Sequence, residues 1–254
     1  MTNINIRDRI CGDTALKCAI KEENEYLAIE LLTLEGIIFD DTVDSDRKTC
    51  LMLASEYGLD QVVGKILPKL TLTSINKKDK DGTTALMYAK NDFIADQLLD
   101  VEGIEDDNVD DNGMTCLMWA SRNGLERRVK RLLAKLSIDD INKKDQQGRT
   151  ALMWAKNDSV ADQLQDIKGI EDFNVDHDGK TCLIWAVQSG LEQRVKRLLT
   201  KMSITDINKR DRYGYTALKC AIRGENKSIA GQLLKLEGIE VEPEDDNSDE
   251  DDIY

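Results

Sequence analysis

The only histidine of the 254-residue chain, His177, stands between Asp176 and Asp178. An imidazole beside carboxylates is raw material for a metal site or a general base. His177 has no second ligand at useful spacing, so it reads as a solvated loop residue. Six cysteines, Cys11, Cys18, Cys50, Cys116, Cys182 and Cys220, offer thiol chemistry. Cys50, Cys116 and Cys182 recur at a spacing of 66 residues, each directly after a threonine. A helix N-terminus can lower a thiol pKa and make it reactive. A fixed slot in a repeating pattern argues instead for a small buried residue. The chain has no C-x-x-C pair and no Cys/His cluster of zinc spacing. It also lacks G-x-x-x-x-G-K-[ST], H-E-x-x-H and G-x-S-x-G. No catalytic residue, cofactor site or metal site is assigned, and catalysis is not expected.

Two further sets of side chains could bind. Cys18, Leu53, Tyr88, Trp119, Trp154, Trp185 and Cys220 occupy one slot, each just before an alanine. Exposed, such rings would make a stacking platform for bases. Large residues in the middle and small ones at the ends point instead to a packed inner seam. Basic side chains cluster at Arg127, Arg128, Lys130, Arg131 and Lys135, and again at Arg194, Lys196, Arg197 and Lys201. Acidic ones cluster at Asp92, Asp96 and Asp100, and at Asp158, Asp162 and Asp166, each set spaced for one face of one helix. Basic and acidic ridges alternating along an outer face would pair between neighbours. The first basic cluster is expected to face the acidic unit that starts at Gly148. The alternative is a basic docking ridge for an acidic partner or nucleic acid.

These residues are carried by a unit used seven times. The threonines Thr14, Thr49, Thr84, Thr115, Thr150, Thr181 and Thr216 are separated by 35, 35, 31, 35, 31 and 35 residues. Threonine caps helices because its hydroxyl accepts an orphan backbone N–H of the first turn. Glycine lies two residues earlier in six of the seven copies, suiting a turn with positive φ. Arg47 breaks that rule, and its turn is expected to be distorted. After each threonine the pattern x-Leu-x-x-Ala predicts a short helix. A second helix follows, such as Leu125, Val129, Leu132 and Leu133, an apolar stripe at i, i+4, i+7 and i+8. Neither helix could stand alone in water, so stacking on neighbours must supply the burial. The third and fifth units are shorter by about one helical turn inside the hairpin. Ile4-Asn5…Arg7-Asp8-Arg9 echoes Ile207-Asn208…Arg210-Asp211-Arg212, so the array begins almost at Met1. The predicted units lie near 4–41, 42–77, 78–108, 109–143, 144–174, 175–209 and 210–241. An acidic, disordered tail is predicted over 242–254.

With its Asp79, Gly82, Thr84, Leu86, Ala89, Leu98 and Leu99, the third unit resembles the ankyrin repeat family. Asp145, Gly148, Thr150, Leu152, Ala155 and Leu164 match again, as do Asp211, Gly214, Thr216, Leu218, Ala221, Leu233 and Leu234. The resemblance implies an all-α, curved solenoid of helix-turn-helix units with projecting loops. The family's proline after threonine is alanine or cysteine here. Its histidine is Met52, Met87, Met118, Met153, Ile184, Lys17 or Lys219. Its inter-repeat hydrogen bond is therefore lost, with apolar packing in its place at five of the seven positions. The resemblance also implies a concave binding face made by the loop tips and the end of each first helix. On this chain those tips are Lys80, Asp81 and Thr83, then Asp111, Asn112 and Met114. The assigned partner-binding residues come from the next three tips: Gln146, Gln147 and Arg149, then His177 and Lys180, then Arg212, Tyr213 and Tyr215. The last three are the favoured hot spot, since Tyr and Arg anchor interfaces disproportionately.

Composition bounds the partner. The formal net charge of −14 has the wrong sign for displacing phosphate counterions, so direct nucleic-acid binding and anionic membranes are disfavoured. No apolar run is long enough to span a membrane and no secretory leader opens the chain. Free thiols point to a reducing, intracellular compartment, cytoplasmic or nuclear, or to an effector acting inside a host cell. The expected function is a monomeric, non-enzymatic adaptor or inhibitor that binds a protein, with a basic partner favoured by the long-range field. Alternatives are an acidic regulator that masks a basic nucleic-acid-binding protein, and a small-ligand or nucleotide sensor. Ser248, ahead of Asp249, Glu250, Asp251 and Asp252, is a candidate phosphorylation site in the tail.

Overall fold

A computed structural model describes residues 5–7, 13–39, 44–171 and 173–241. The predicted acidic tail, with Ser248, lies outside the described residues. Contacts divide the chain into two compact bodies, residues 1–172 and 173–254. The described residues form α-helices joined by turns, with isolated bridges and no β-strand.

The first body holds α1 (Ala15–Lys21), α2 (Glu25–Thr33), α3 (Cys50–Tyr57), α4 (Asp60–Ile66) and α5 (Leu72–Ile75). A 3-10 turn at Leu67–Lys69 extends α4. Then come α6 (Ala85–Tyr88), α7 (Asp92–Leu99), α8 (Cys116–Asn123), α9 (Glu126–Leu133), α10 (Ile138–Ile141) and α11 (Asp158–Gln165). The first helices α1, α3, α6 and α8 stack in one row, and α2, α4, α7, α9 and α11 in a second. The second body holds α12 (Cys182–Gln188), α13 (Glu192–Leu199), α14 (Ile204–Ile207), α15 (Ala217–Arg223) and α16 (Lys227–Leu233). Here α12 packs on α15, and α13 on α16.

All seven register threonines accept the backbone N–H three residues on, as at Thr115 from Met118 at 3.2 Å. That bond fixes where each first helix starts, and hence which residues face the core. The leucine two positions after each threonine is buried, as is the first-helix alanine. Burying one such leucine is worth about 1.5–3 kcal/mol, so the x-Leu-x-x-Ala motif adds to cohesion in every repeat. Met52, Met87, Met118, Met153 and Ile184 are also buried, in line with apolar packing at the family's histidine position. Lys17, in the same slot, is buried as well and donates to the Lys48 carbonyl at 2.8 Å.

The missing turn of the short units falls in the first helix. α6 has only four residues, and after Thr150 the chain makes a turn over 151–154 where a helix is predicted. The backbone N–H groups of Lys90 and Lys156 bond to the carbonyls of Ser55 and Ser121 in the preceding repeat, both at 3.1 Å. The chain is thus drawn onto its neighbour rather than onward along its own helix. Asn91 and Asn157 then cap α7 and α11.

A different asparagine links the second, fourth and sixth repeats each to the next. Asn142 donates to the Gly169 carbonyl at 2.9 Å and accepts from the Glu171 N–H at 3.1 Å. Asn76 does the same with Gly103 and Glu105, and Asn208 with Gly238 and Glu240. Asn5 bonds to Gly36 and Ile38 in the same way, which gives the Ile-Asn echo at the start of the chain a structural meaning.

Candidate interaction face

Each loop tip is built on one buried aspartate. Oδ1 of Asp110 accepts the backbone N–H groups of Asn112 and Met114, both at 2.9 Å. Asp79, Asp145, Asp176 and Asp211 repeat the arrangement. The second oxygen reaches the aromatic ladder. Asp110 accepts from the Trp119 indole at 3.0 Å, Asp145 from Trp154 at 3.0 Å and Asp176 from Trp185 at 2.9 Å. The Tyr88 hydroxyl donates to Asp79 at 2.7 Å. Burial and that bond push the Tyr88 phenol pKa upward.

The slot is therefore only in part the packed seam that its repeat position suggests, with Leu53 buried but the rings not fully so. Tyr88, Trp119, Trp154 and Trp185 are only half-buried and Cys18 is exposed. An indole N–H needs an acceptor, and the aspartate that supplies it stands at the loop, so each ring is held toward the surface. A nine-residue step from aspartate to aromatic ring is the sequence signal for this pairing.

Cations lie on the rings. Arg122 sits 5.4 Å from the Trp119 ring and 5.1 Å from that of Trp154, and Arg149 lies 4.2 Å from Trp154. Lys48 lies 4.3 Å from Tyr88 and Lys180 5.1 Å from Trp185. In the second body Lys219 and Arg223 flank Tyr215 at 5.1 and 5.2 Å. Such contacts hold long side chains over the ring face.

The residues assigned from the loop tips divide by exposure. Gln146, Gln147, His177 and Arg212 are exposed, and Tyr213 is 57% exposed. Arg149 and Lys180 are half-buried against the first-helix rings, and Tyr215 is half-buried between Lys219 and Arg223. Thr83 and Met114, at the same tip position in other repeats, are buried and offer no contact surface. Backbone bonds tie neighbouring tips together: Gln146 N–H to the Asn112 carbonyl at 2.9 Å, and Arg212 N–H to that of Asp178 at 2.7 Å. Arg212 also pairs with Asp178 at 2.8 Å and touches the Tyr213 hydroxyl. Among the described residues no group of three metal-ligating side chains converges.

The basic second helix behaves differently from the expected ridge. Arg127 and Arg131 do lie outside. Arg127 reaches Asp96 at 3.3 Å, and Arg131 reaches Asp96 at 3.0 Å and Asp100 at 2.7 Å. These pairs run to α7, in the unit before, rather than to the unit that starts at Gly148. Arg128 and Arg194, by contrast, are completely buried. Arg128 stands three residues after Leu125 and four before Leu132, inside the apolar stripe. Among the described residues its guanidinium nitrogens meet no oxygen acceptor, and burial holds its pKa below the usual arginine value. Cys116 lies against it, and burial pushes that thiol pKa up to about 11. Cys50, Cys116 and Cys182 are all buried, so the helix-start cysteines are packing residues.

No curated protein matches the chain. A family model for ankyrin repeats (3 copies) matches residues 62–145, 90–171, 126–211 and 155–245. None of the described helices is long and apolar enough to cross a membrane. Together these matches span more than half of the sequence and take in both bodies, and the chain belongs to the ankyrin repeat family.

Proposed function

We propose that the protein is a non-enzymatic adaptor or inhibitor that binds a protein partner through the loop tips and the exposed ends of its first helices. Ankyrin repeats are generally protein–protein interaction modules. The observation that carries the reading is the row of half-buried rings with cations laid on them, continuous with the exposed tips at Gln146, Gln147 and Arg149. Aromatic and arginine side chains on a rigid backbone lose little freedom on binding, which suits them as anchors. The framework repeats while the tips differ: Gln146-Gln147, His177-Asp178 and Arg212-Tyr213 share one backbone pattern and three chemistries. That is the layout of a scaffold with differentiated contacts.

The test is affinity capture with the intact chain beside two variants, Tyr213→Ala/Tyr215→Ala and Gln146→Ala/Gln147→Ala. A partner retained by the intact chain and lost by either variant supports the reading. Identical partner sets for all three would remove the loop tips from it.

A further inference from the structure

Arg122 and Arg223 hold the same place in their repeats, two residues after the first-helix alanines Ala120 and Ala221. Most other occupants of that place are engaged with polar neighbours. Lys21 pairs with Asp13 at 2.7 Å and Asp44 at 3.3 Å, and Glu56 with Lys48 at 2.7 Å. Gln188 accepts from Lys180 at 3.5 Å and donates toward the Cys220 sulfur at 3.8 Å. Asn91 and Asn157 cap helices. Arg122 and Arg223 are exposed, and among the described residues neither has a carboxylate within ion-pair distance. Both are oriented all the same. Arg122 lies against the rings of Trp119 and Trp154. Arg223 donates to the Tyr215 hydroxyl at 2.9 Å and lies on its ring.

A guanidinium laid over a ring is weakly hydrated and keeps donors to offer a carboxylate, all of them at Arg122 and those not spent on the Tyr215 hydroxyl at Arg223. In the second body Arg223 also borders an open cleft of about 600 Å³ lined by Gly190, Tyr215, Cys220 and Asn226, enough for a partner's side chain. We propose that Arg122 in the first body and Arg223 in the second are acid-reading positions, each beside its own body's rings, and that the partner is a protein carrying acidic linear segments with an apolar residue beside the acid. The apolar neighbour would lie on Trp119 or Trp154 in the first body and against Tyr215 in the second. This inference rests on the proposed function and names the chemistry of the partner.

Single-stranded nucleic acid is the other ligand that combines rings with anions, but it needs a track of free cations. The remaining cations of the face are largely engaged: Lys48 with Glu56, Lys80 with Asp46, Arg149 with Asp145 and Arg212 with Asp178. Among the described residues, Arg122 and Arg223 are guanidiniums laid on rings without an ion pair, and two such separate positions suit discrete carboxylates. The net charge of −14 slows approach of an acidic segment, yet it is screened beyond about 8 Å at physiological salt and leaves a direct bidentate contact intact.

The experiment is fluorescence-anisotropy titration of the full chain with a labelled Glu-Leu-Gly repeat peptide, its Gln-Leu-Gly counterpart and an oligothymidylate of equal length. The Glu peptide should bind best. The double variant Arg122→Met/Arg223→Met should weaken it by about tenfold or more, the loss of the charge-assisted contact in each body. Lys130→Met removes one exposed charge from α9, away from the rings, and should leave binding unchanged. Equal binding of Glu and Gln peptides, or an equal loss in Lys130→Met, would overturn the proposal, and tighter binding of the oligothymidylate would replace it with a nucleic-acid reading. Each variant is checked for an unchanged melting curve. If the peptide fails while capture still returns a partner that depends on Tyr213 and Tyr215, only the acid-reading inference falls.

Discussion

The thiol of Cys116 and the guanidinium of Arg128 lie against each other inside the first body, and neither reaches solvent. Cys116 opens α8 and Arg128 sits in the first turn of α9, so the pair joins the two helices of a single repeat. The second repeat has Cys50 in the first position and Val62, also buried, in the second. The site therefore accepts an apolar residue, and the arginine is an expensive occupant. A buried cation with no oxygen acceptor loses hydration that a thiol cannot replace.

Arg128→Met should thus stabilise the fold, by about 1–3 kcal/mol, because methionine fills similar volume without a charge. Arg128→Ala should instead destabilise it, by about 2–4 kcal/mol, through the cavity it leaves. Urea denaturation of both variants separates the contributions. A destabilised Arg128→Met would mean that the guanidinium makes contacts that methionine cannot replace.

The same site predicts alkaline lability. The folded pKa of Cys116 is about 11, above its ordinary value of 9.0. A raised folded pKa means that the native state holds the proton more tightly than the unfolded chain does. Its contribution is complete below pH 9 and is lost as pH climbs toward 11. Tyr88, also raised, acts in the same direction at higher pH. Unfolding free energy should fall across pH 9–11 with a slope approaching about 1.4 kcal/mol per pH unit, and Cys116→Ala should flatten it. An unchanged slope in that variant would assign the lability elsewhere.

Arg128 also marks the limit of what the sequence reveals. The register threonines and buried leucines are legible because they repeat and because each obeys a local rule of capping or helical periodicity. Arg128 obeys its local rule too, standing at i+3 from Leu125 and i−4 from Leu132, but its charge masks the position. The Val62 of the second repeat is the clue. The Trp ladder fails in the opposite sense. Ring size suggests core, while one polar atom, the indole N–H, requires the loop aspartate and brings the ring to the surface. The tips at Thr83 and Met114 cannot be told from those at Arg149 or Tyr215 by position, since buried and half-buried side chains hold the same place in the repeat.

The pairing of α9 with α7 predicts a salt-dependent stability. Replacing Asp92, Asp96 and Asp100 together by lysine removes the Arg127 and Arg131 pairs and sets like charges against each other. Each pair is half-exposed and worth about 0–1 kcal/mol, so a total loss of about 1–3 kcal/mol is expected at low salt. In high salt the loss should shrink, because screening weakens attraction in the parent and repulsion in the variant alike. The measurement is the melting temperature of both proteins in low and high salt. A loss that ignores salt would point to packing rather than charge.

The turn at Arg47 supplies the last prediction. The loop before each first helix needs a left-handed residue, filled by glycine at Gly82, Gly113, Gly148, Gly179 and Gly214. Arg47 occupies it with φ 62°, and the turn keeps its hydrogen bond from the Arg47 N–H to the Asp44 carbonyl at 2.9 Å. The turn is therefore not distorted as its sequence suggests. It has the same shape as the others, held by a residue that finds it costly. Arg47→Gly should stabilise by about 0.5–1 kcal/mol, the relief of that conformation less the extra freedom of the unfolded chain. The glycines give the converse and divide it. At Gly214 an added Cβ meets nothing within 4 Å, so Gly214→Ala should cost only the left-handed conformation, about 1 kcal/mol. At Gly82 the same atom would lie 2.7 Å from the Asp111 side chain and 3.1 Å from its backbone nitrogen. The Asp111 N–H is fixed to the Asp81 carbonyl at 2.9 Å and cannot retreat without breaking that inter-repeat bond. Gly82→Ala should therefore cost about 2 kcal/mol more than Gly214→Ala, a difference that measures the close approach of one loop tip to the next. Equal costs would show that the tips separate freely and that the rigid interaction face is held by the helices alone.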